Sequence, residues 1–236
     1  MRGHRGAQLD CMFFPCLVDD KPVVSLDAPR GAYLEKPTFI MCSPNALLYQ
    51  QMVSSPNTYW LTFFLRREVN VMCWNYRSYG LSKTPGRCCL SFCDAIDPGN
   101  IKLDAEKILD FVINHLGVRG KVGLYGRSLG GIAACHLARK YPQVVSALIV
   151  DRTFSELDVS SERRLFGSWS RLLYRFVSLN WKAKNDANYV QAAQCFKIAT
   201  CDPLDDVVDN YSALPIGVAQ KIAKSTFSEP RWQAFY

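Results

Sequence analysis

The chain has 236 residues, a formal net charge of +7 and 49% hydrophobic residues, which suits one globular domain. No apolar run approaches the roughly 20 residues that cross a bilayer, and the polar, basic first ten residues do not form a secretory leader. We therefore expect a cytoplasmic protein with reduced thiols and, because its basic residues are scattered and no nucleic-acid motif is present, no nucleic-acid partner.

Apolar runs alternate with helical patterns along the chain. The predicted strands are 38–42, 69–74, 121–125, 147–150 and 196–200. The predicted helices lie within 49–67, from an N-cap at Asp104 to just before Gly117, and at 130–141, about 161–180, 186–194 and about 211–224. This alternation predicts an α/β fold with a mostly parallel, doubly wound sheet, whose site lies at the carboxyl ends of the strands.

The stretch Gly126-Arg127-Ser128-Leu129-Gly130 joins a predicted strand to a predicted helix. A Gly-x-Ser-x-Gly in that context is typical of a nucleophile elbow. The turn is so tight that the positions two residues before and after the serine have almost no room for a side chain. The serine hydroxyl then lies at a helix N-terminus, where developing negative charge is favoured. Ser128 is therefore the candidate nucleophile, and the backbone N–H of Leu129 is a candidate oxyanion donor.

Aspartates follow the last predicted strand, where the acid that orients a catalytic histidine is expected. The candidates are Asp202, Asp205, Asp206 and Asp209. We favour Asp205, because Val207 and Val208 behind it are suited to pack down and fix the loop. Asp151, at the end of the preceding strand, is a second candidate for the acid. For any single aspartate of the loop, a solvated acidic turn is the alternative.

The general base is missing from this pattern. The histidines of the chain are His4, His115 and His136. His136 follows Ser128 by eight residues, about 12 Å along the same helix, and cannot reach its hydroxyl. His115 suits a cap at a helix C-terminus, and His4 lies near the start of the chain. Without a base, a serine is a poor nucleophile at pH 7.

An amphipathic helical pattern covers about residues 163–179. Its aromatic and basic positions include Arg164, Trp169, Arg171 and Arg175. One interpretation is a lid that makes peripheral membrane contact through these four side chains. We favour the alternative, in which the helix packs over the site with its arginines in solvent. Gly167 inside the pattern weakens a long helix.

The cysteines cluster at one place, Cys88-Cys89-x-x-x-Cys93. A structural zinc site needs four ligands, usually as two close pairs, and no second Cys or His pair has that spacing. We therefore expect a plain loop there, and neither a metal nor an organic cofactor.

Together these features resemble the α/β-hydrolase superfamily, in its branch of α/β-hydrolase-domain serine hydrolases. The motif at residues 75–82, Asn-Tyr-Arg-Ser-Tyr-Gly-Leu-Ser, resembles the branch's Asp/Asn-Tyr-x-Gly-Tyr-Gly-x-Ser turn. Residues 43–46, Ser-Pro-Asn-Ala, stand where the branch has the His-Gly-Asn-Ala oxyanion loop, and residues 205–208, Asp-Asp-Val-Val, resemble Asp-Glu-Val-Ile. The segments around 8–13, 42–49 and 74–75 are most similar to phosphatidylserine lipases.

The resemblance implies a single α/β-hydrolase domain over residues 1–236, with a helical lid at about 155–190. It also implies an acyl ester or thioester substrate, with a lipid among the candidates. Ser128 would be the nucleophile, Asp205 the acid, and the N–H groups of Leu129 and Asn45 the oxyanion donors. A catalytically inactive binding or scaffold protein is the alternative function.

Three features depart from the family pattern. Pro44 and Ser78 replace glycines of the two motifs. The family's last strand and its histidine loop should follow Lys224, but residues 225–236 show no such pattern. We therefore expect a truncated or a degenerate member, in which the last strand and the base are missing from the chain.

Overall fold

The computed structural model describes residues 1–18, 21–22, 31–54, 58–83, 97–156, 183–205, 208 and 212–227. Its strands are β1 (Cys11–Phe14), β2 (Leu17–Val18), β3 (Lys21–Pro22), β4 (Thr38–Cys42), β5 (Asn70–Trp74), β6 (Val122–Arg127), β7 (Val145–Asp151) and β8 (Phe196–Thr200). Its α-helices are α1 (Tyr49–Ser54), α2 (Tyr59–Arg66), α3 (Pro98–Asp110), α4 (Gly131–Lys140), α5 (Asn185–Gln191) and α6 (Leu214–Phe227). Across these described ranges, no helix is both long and apolar enough to span a membrane.

The main sheet has six strands in the order β1-β5-β4-β6-β7-β8. Only β1 runs antiparallel to its neighbour, and the pairs from β5 to β8 are parallel. In this register Arg127 lies opposite Asp151, and Asp151 lies opposite Thr200. The carboxyl ends of β6, β7 and β8 therefore share one edge. The mostly parallel sheet with helices on both faces confirms the predicted α/β fold.

One face of the sheet, here called the packed face, is buried along β4 to β7 and partly buried on β8, at Lys197 and Ala199. It presents Leu124, Leu148 and Val150, each at most 1% exposed, to the main hydrophobic core. Helix α4 lies against this face, and most of its residues are buried, including Ala133, Ala134 and Ala138. Small residues let the helix approach the strands closely, as the sequence predicts. Helices α3 and α5 flank α4 in the same layer.

The opposite face, here called the open face, is covered unevenly. At β4 and β5 it forms a second core, in which Met41 packs with Trp60 and Phe64 of α2. Farther along the sheet Ile149 is only half-buried. On β8, Ile198 is 39% and Phe196 is 68% exposed, although both register with β7 residues of this face. Apolar surface is thus left in contact with solvent on the β7–β8 side.

The predicted N-cap at Asp104 is wrong. Helix α3 begins at Pro98, and its N-cap is Asp97, whose carboxylate accepts a hydrogen bond from the Asn100 N–H at 3.0 Å. An aspartate followed by proline is a stronger start signal than an aspartate alone, because proline suits the first helical position. Asp104 is instead buried within α3, where it accepts two hydrogen bonds from the Arg77 guanidinium, at 2.7 and 2.8 Å.

Other boundaries differ more modestly from the predictions. The helix expected within 49–67 is two helices, α1 and α2, and β7 is longer than the predicted 147–150. Strand β1 was not predicted, because four residues that pair only with β5 carry little periodicity of their own. The amphipathic helix with Arg164, Trp169, Arg171 and Arg175, most of the lid, the cysteine cluster, Asp206 and Asp209 lie outside the described residues.

Candidate active site

Ser128 occupies the strained turn that its motif predicts. Strand β6 ends at Arg127, a single 3₁₀ turn spans Ser128–Gly130, and α4 follows at once. The φ angle of Ser128 is 51°, in the left-handed region that a residue with a side chain rarely adopts. Such strain persists only where the surroundings enforce it, and it concentrates at functional sites. The geometry is that of a nucleophile elbow.

The two glycines of the motif are required by close packing. A Cβ atom on Gly130 would lie 2.0 Å from the carbonyl oxygen of Cys42, at the end of β4. A Cβ atom on Gly126 would lie 2.7 Å from both the Gly130 carbonyl oxygen and the Ala134 Cβ. Neither position has room for a side chain, which confirms the expectation from the motif.

Thr153, just after the end of the neighbouring strand β7, supports the elbow, and no motif in the sequence predicts this role. Its hydroxyl shares its proton among nearby carbonyl oxygens, including those of Gly126 at 3.3 Å and Ser128 at 3.2 Å. Its side chain also fills the space beside Gly131, where a Cβ would come within 2.1 Å of the Thr153 Cγ2. A buried threonine directly after a strand end is the available signal, but its partners in the elbow, Gly126 and Ser128, lie 25 or more residues away in the chain.

The loop at residues 43–46 is held by the tyrosines of the 75–82 motif. The Tyr76 hydroxyl donates a buried hydrogen bond to the Ser43 carbonyl oxygen at 2.6 Å. The Tyr79 hydroxyl donates to the Asn45 side-chain oxygen. This loop follows β4, whose last residue touches the elbow at Gly130. The two motifs that support the family resemblance therefore meet in space beside Ser128.

Asp205 lies in the turn after β8, at the sheet edge that also carries the elbow. Its carboxylate accepts a hydrogen bond from the Val208 N–H at 3.0 Å, and Val208 is buried. Packing of Val208 thus fixes this loop, as we expected. Asp202 accepts instead from the Leu204 N–H at 3.0 Å and closes the turn locally.

The alternative acid, Asp151, is engaged by its neighbours. Its carboxylate accepts hydrogen bonds from Tyr125 at 3.0 Å, Thr200 at 2.9 Å and Arg152 at 3.2 Å, and Arg127 lies 3.6 Å away. Burial disfavours the charge, but the bonds from Arg152, Thr200 and Tyr125 outweigh it and lower the pKa of Asp151. This ionised carboxylate is the centre of a charged cluster, which makes it a poorer candidate than Asp205 for orienting a histidine.

A cavity of about 540 Å³ opens at the same edge, on the open face. Its wall includes the side chains Met41, Met52, Tyr59, Trp60, Phe64 and Ile149. Its rim includes Ser43, Pro44 and the charged residues Arg127, Asp151 and Arg152. Ser128 does not line this cavity, although the adjacent Arg127 does.

Each histidine has other contacts. The His136 ring bonds to Glu106 at 2.7 Å, between α4 and α3. Burial lowers the pKa of His136, although the bond to Glu106 opposes that shift. His115 lies in the last turn of its helix with its ring stacked on Phe111, and the His4 backbone N–H donates to Asp104. These contacts place both helical histidines in the α3–α4 layer, away from the Asp205 turn.

Several of the described cysteines are buried apolar residues, whereas Cys201 is exposed. Cys42, Cys73 and Cys135 are free and at most 1% exposed. Burial raises the pKa of Cys42 and that of Cys73 to about 12, so both thiols stay protonated at neutral pH. Over the ranges that the structure covers, no three His, Cys, Asp or Glu side chains group as metal ligands do.

Comparison with known proteins places these features in a family. The alpha/beta hydrolase fold family matches residues 57–191, more than half of the chain. Protein bem46 of Schizosaccharomyces pombe is 25% identical over 130 residues, which cover 55% of this chain and 40% of that protein. The membrane protein YNL320W of Saccharomyces cerevisiae is 32% identical over 122 residues, covering 50% and 36% of the two chains. The chain thus spans less than half the length of these curated relatives.

The solved structures agree on the fold. The Pyrococcus furiosus esterase Pf2001 superposes with a TM-score of 0.61, at 14% identity, over 94% of this chain and 76% of that one. At such identity the likeness shows the fold alone. Combined with the family match over residues 57–191, it establishes that this chain belongs to the alpha/beta hydrolase fold family.

Proposed function

We propose that the chain carries the nucleophile part of a serine hydrolase that cleaves an acyl ester or thioester. The observation that carries this proposal is the positive φ of Ser128 at a strand-to-helix turn. A serine held in that conformation presents its hydroxyl at the helix N-terminus, where an attacking oxygen and a developing oxyanion are both favoured.

The oxyanion donors and the acid are assigned from their positions at the same edge of the sheet as Ser128. The backbone N–H of Leu129 follows the nucleophile directly, and that of Asn45 lies in the loop that Tyr76 and Tyr79 hold. We assign these two N–H groups as oxyanion donors. We assign Asp205 as the acid because its loop is anchored by buried Val208 and follows a strand of the same sheet edge.

The base is not among the three histidines of this chain, whose contacts lie elsewhere. The hydrolase proposal therefore requires a histidine that this sequence does not contain. A second candidate function, a catalytically inactive binding or scaffold protein with the same fold, is favoured by this one observation. The two functions differ in whether Ser128 can be acylated when a base is supplied.

We propose an acyl compound as the substrate. The resemblance to phosphatidylserine lipases suggests lipids as its class. We further propose a cytoplasmic protein. Peripheral membrane contact through Arg164, Trp169, Arg171 and Arg175 is the second interpretation of the amphipathic pattern, behind a helix whose arginines face solvent. The description of YNL320W as a membrane protein supports membrane proximity.

Chemical rescue tests the hydrolase proposal. The purified chain should hydrolyse p-nitrophenyl butyrate feebly, since a triad that lacks one member keeps only the roughly 10³–10⁴-fold acceleration of its oxyanion hole and binding site. Added imidazole should raise this rate by supplying the base. The gain should vanish in Ser128→Ala and fall in Asp205→Ala, after subtraction of the reaction of imidazole with the ester alone.

Ser146→Ala is the matched control, because the Ser146 hydroxyl bonds to the Val122 carbonyl oxygen at the opposite end of the sheet. This variant should retain the full rescue. If no rate depends on Ser128 at any imidazole concentration, the inactive binding protein is the better description. Robust turnover without imidazole, abolished by Ser128→Ala, would show that another group serves as the base.

A further inference from the structure

We propose that the open-face cavity is a binding site, separate from Ser128, for a single apolar chain that ends in an anionic head group. The proposal does not depend on the catalytic role of Ser128. It rests on the size and lining of the cavity, on two arginines at its rim, and on the position of the nucleophile outside it.

The interior of the cavity suits an apolar chain. At about 540 Å³ it falls within the range of small-molecule pockets, roughly 300–1,000 Å³. Trp60, Phe64 and Ile149 supply aromatic and aliphatic surface, and Met41 and Met52 supply flexible thioethers that adapt to a chain of variable shape. An apolar ligand there would cover surface that the described helices leave half-exposed.

The rim suits an anion. Arg127 and Arg152 both line the cavity and share the single carboxylate of Asp151. Arg152 bonds directly to Asp151, but the Arg127 Nε lies 3.6 Å from it, beyond hydrogen-bond distance. The Arg127 side chain is 42% exposed. Its guanidinium therefore retains donors for a carboxylate or a phosphate, which it is shaped to bind with two hydrogen bonds.

The cavity is distinct from the catalytic position although the two are adjacent. Successive residues of a strand point to opposite faces, so Arg127 lies on the open face while Gly126 packs against α4. Ser128 begins the turn that leads to α4 and contributes nothing to the cavity wall. A ligand in the cavity would contact Ser43, Pro44 and Arg127, and so would border the elbow without occupying it.

Quenching of tryptophan fluorescence by brominated chains tests this site. The probes are 12-bromododecanoate, 12-bromododecyl phosphate and the neutral 12-bromododecanol, each below its micelle concentration. Because Trp60 lines the cavity, the anionic probes should quench its emission, and this component should disappear in Trp60→Phe. The two anionic probes distinguish a fatty-acid head group from a phosphate head group.

Arg127→Gln should lower the affinity for both anionic probes by about tenfold, the loss expected for a charged hydrogen bond. It should leave the affinity for the neutral probe unchanged. Ile149→Phe should weaken the binding of all three probes by filling part of the cavity, and it adds no tryptophan to the fluorescence readout. Ser128→Ala should bind like the parent chain, and Lys83→Gln is the control for a general loss of surface charge.

Three results would overturn the proposal. They are equal binding of the neutral and anionic probes, quenching that persists in Trp60→Phe, and an Arg127→Gln variant that binds as the parent does. If binding instead depends on Ser128, the cavity is part of the proposed catalytic site and not a separate one.

Discussion

The two faces of the sheet are built from the same strands but are covered to very different degrees. On the packed face Leu148 is fully buried, whereas the next residue, Ile149, lies on the open face and is half-exposed. The difference in burial between the two faces grows toward the last strand, β8, where Phe196 is 68% exposed. One layer of helices is therefore complete in the described chain, and the other covers only the β4–β5 side. Large exposed apolar surface of this kind marks a site for a ligand or a partner.

The candidate site lies at the boundary between the two faces. The elbow is held from the packed side, by the close approach of Gly126 to Ala134 and by the hydroxyl of Thr153. The cavity and its arginines lie on the open side. The strained conformation of Ser128 thus depends on the complete layer, and it should persist whatever covers the open face. Stability and ligand binding are accordingly expected to respond to different substitutions.

The largest expected contrast is between Leu148→Ala and Ile149→Ala. Removing the fully buried leucine should cost about 3 kcal/mol of unfolding free energy, because it leaves a cavity against α4. Ile149 already borders a cavity and solvent, so its truncation should cost about 1 kcal/mol or less. Urea denaturation of both variants measures the difference. Equal losses would show that the open face is as well packed as the other.

A second contrast uses two glycines of strand β6. A methyl group on Gly126 would meet the Gly130 carbonyl oxygen and Ala134, whereas the nearest atoms to one on Gly123 belong to the Phe39 ring. The partly buried Phe39 ring packs on Phe64, but as a side chain it can shift more readily than the backbone carbonyl of Gly130. We therefore expect Gly126→Ala to cost about 2 kcal/mol and Gly123→Ala clearly less.

Thermal melts of the two glycine variants, together with the imidazole-rescued esterase rate, check this contrast. Gly126→Ala should also lower the rescued rate, because the elbow must move to accept the methyl group. A Gly123→Ala variant that is destabilised as strongly as Gly126→Ala would contradict it and would place rigid packing on the open face as well.

Local patterns allowed the elbow and most of the fold to be predicted from the sequence. The glycine spacing around Ser128 encodes the tightness of the turn directly, and buried Val208 fixes the Asp205 loop as its apolar character suggested. Asp104 was misassigned because an aspartate in a helical pattern suits both an N-cap and a buried ion pair. Asp97 followed by Pro98 marks the start of the helix, and the distant Arg77 shows what the buried Asp104 does instead.

The supporting contacts of the site could not be predicted in the same way. Thr153 and Tyr76 act through hydrogen bonds to carbonyl oxygens that are 25 to 33 residues away in the chain. Such bonds depend on strand order and register, which a single sequence does not specify. The open-face cavity depends on how α1 and α2 lie against β4, β6 and β7, and no residue pattern in the sequence predicts that arrangement.

The smallest expected effect on stability concerns the exposed residues of β8. This strand is the last in the sheet order, and edge strands with apolar side chains invite association between chains. Phe196→Thr and Ile198→Thr keep residues that favour strands while removing apolar surface. Each should change the unfolding free energy by less than about 0.5 kcal/mol, as is usual for exposed sites, and should reduce light scattering at high protein concentration.

Leu204→Ser is the matched control, because Leu204 is 87% exposed on the turn after β8 rather than on the sheet. If scattering falls equally in all three variants, general surface hydrophobicity drives association. If Phe196→Thr instead lowers stability by 2 kcal/mol or more, the open face at β8 is covered in solution, and the contrast between the two faces is smaller than their exposures indicate.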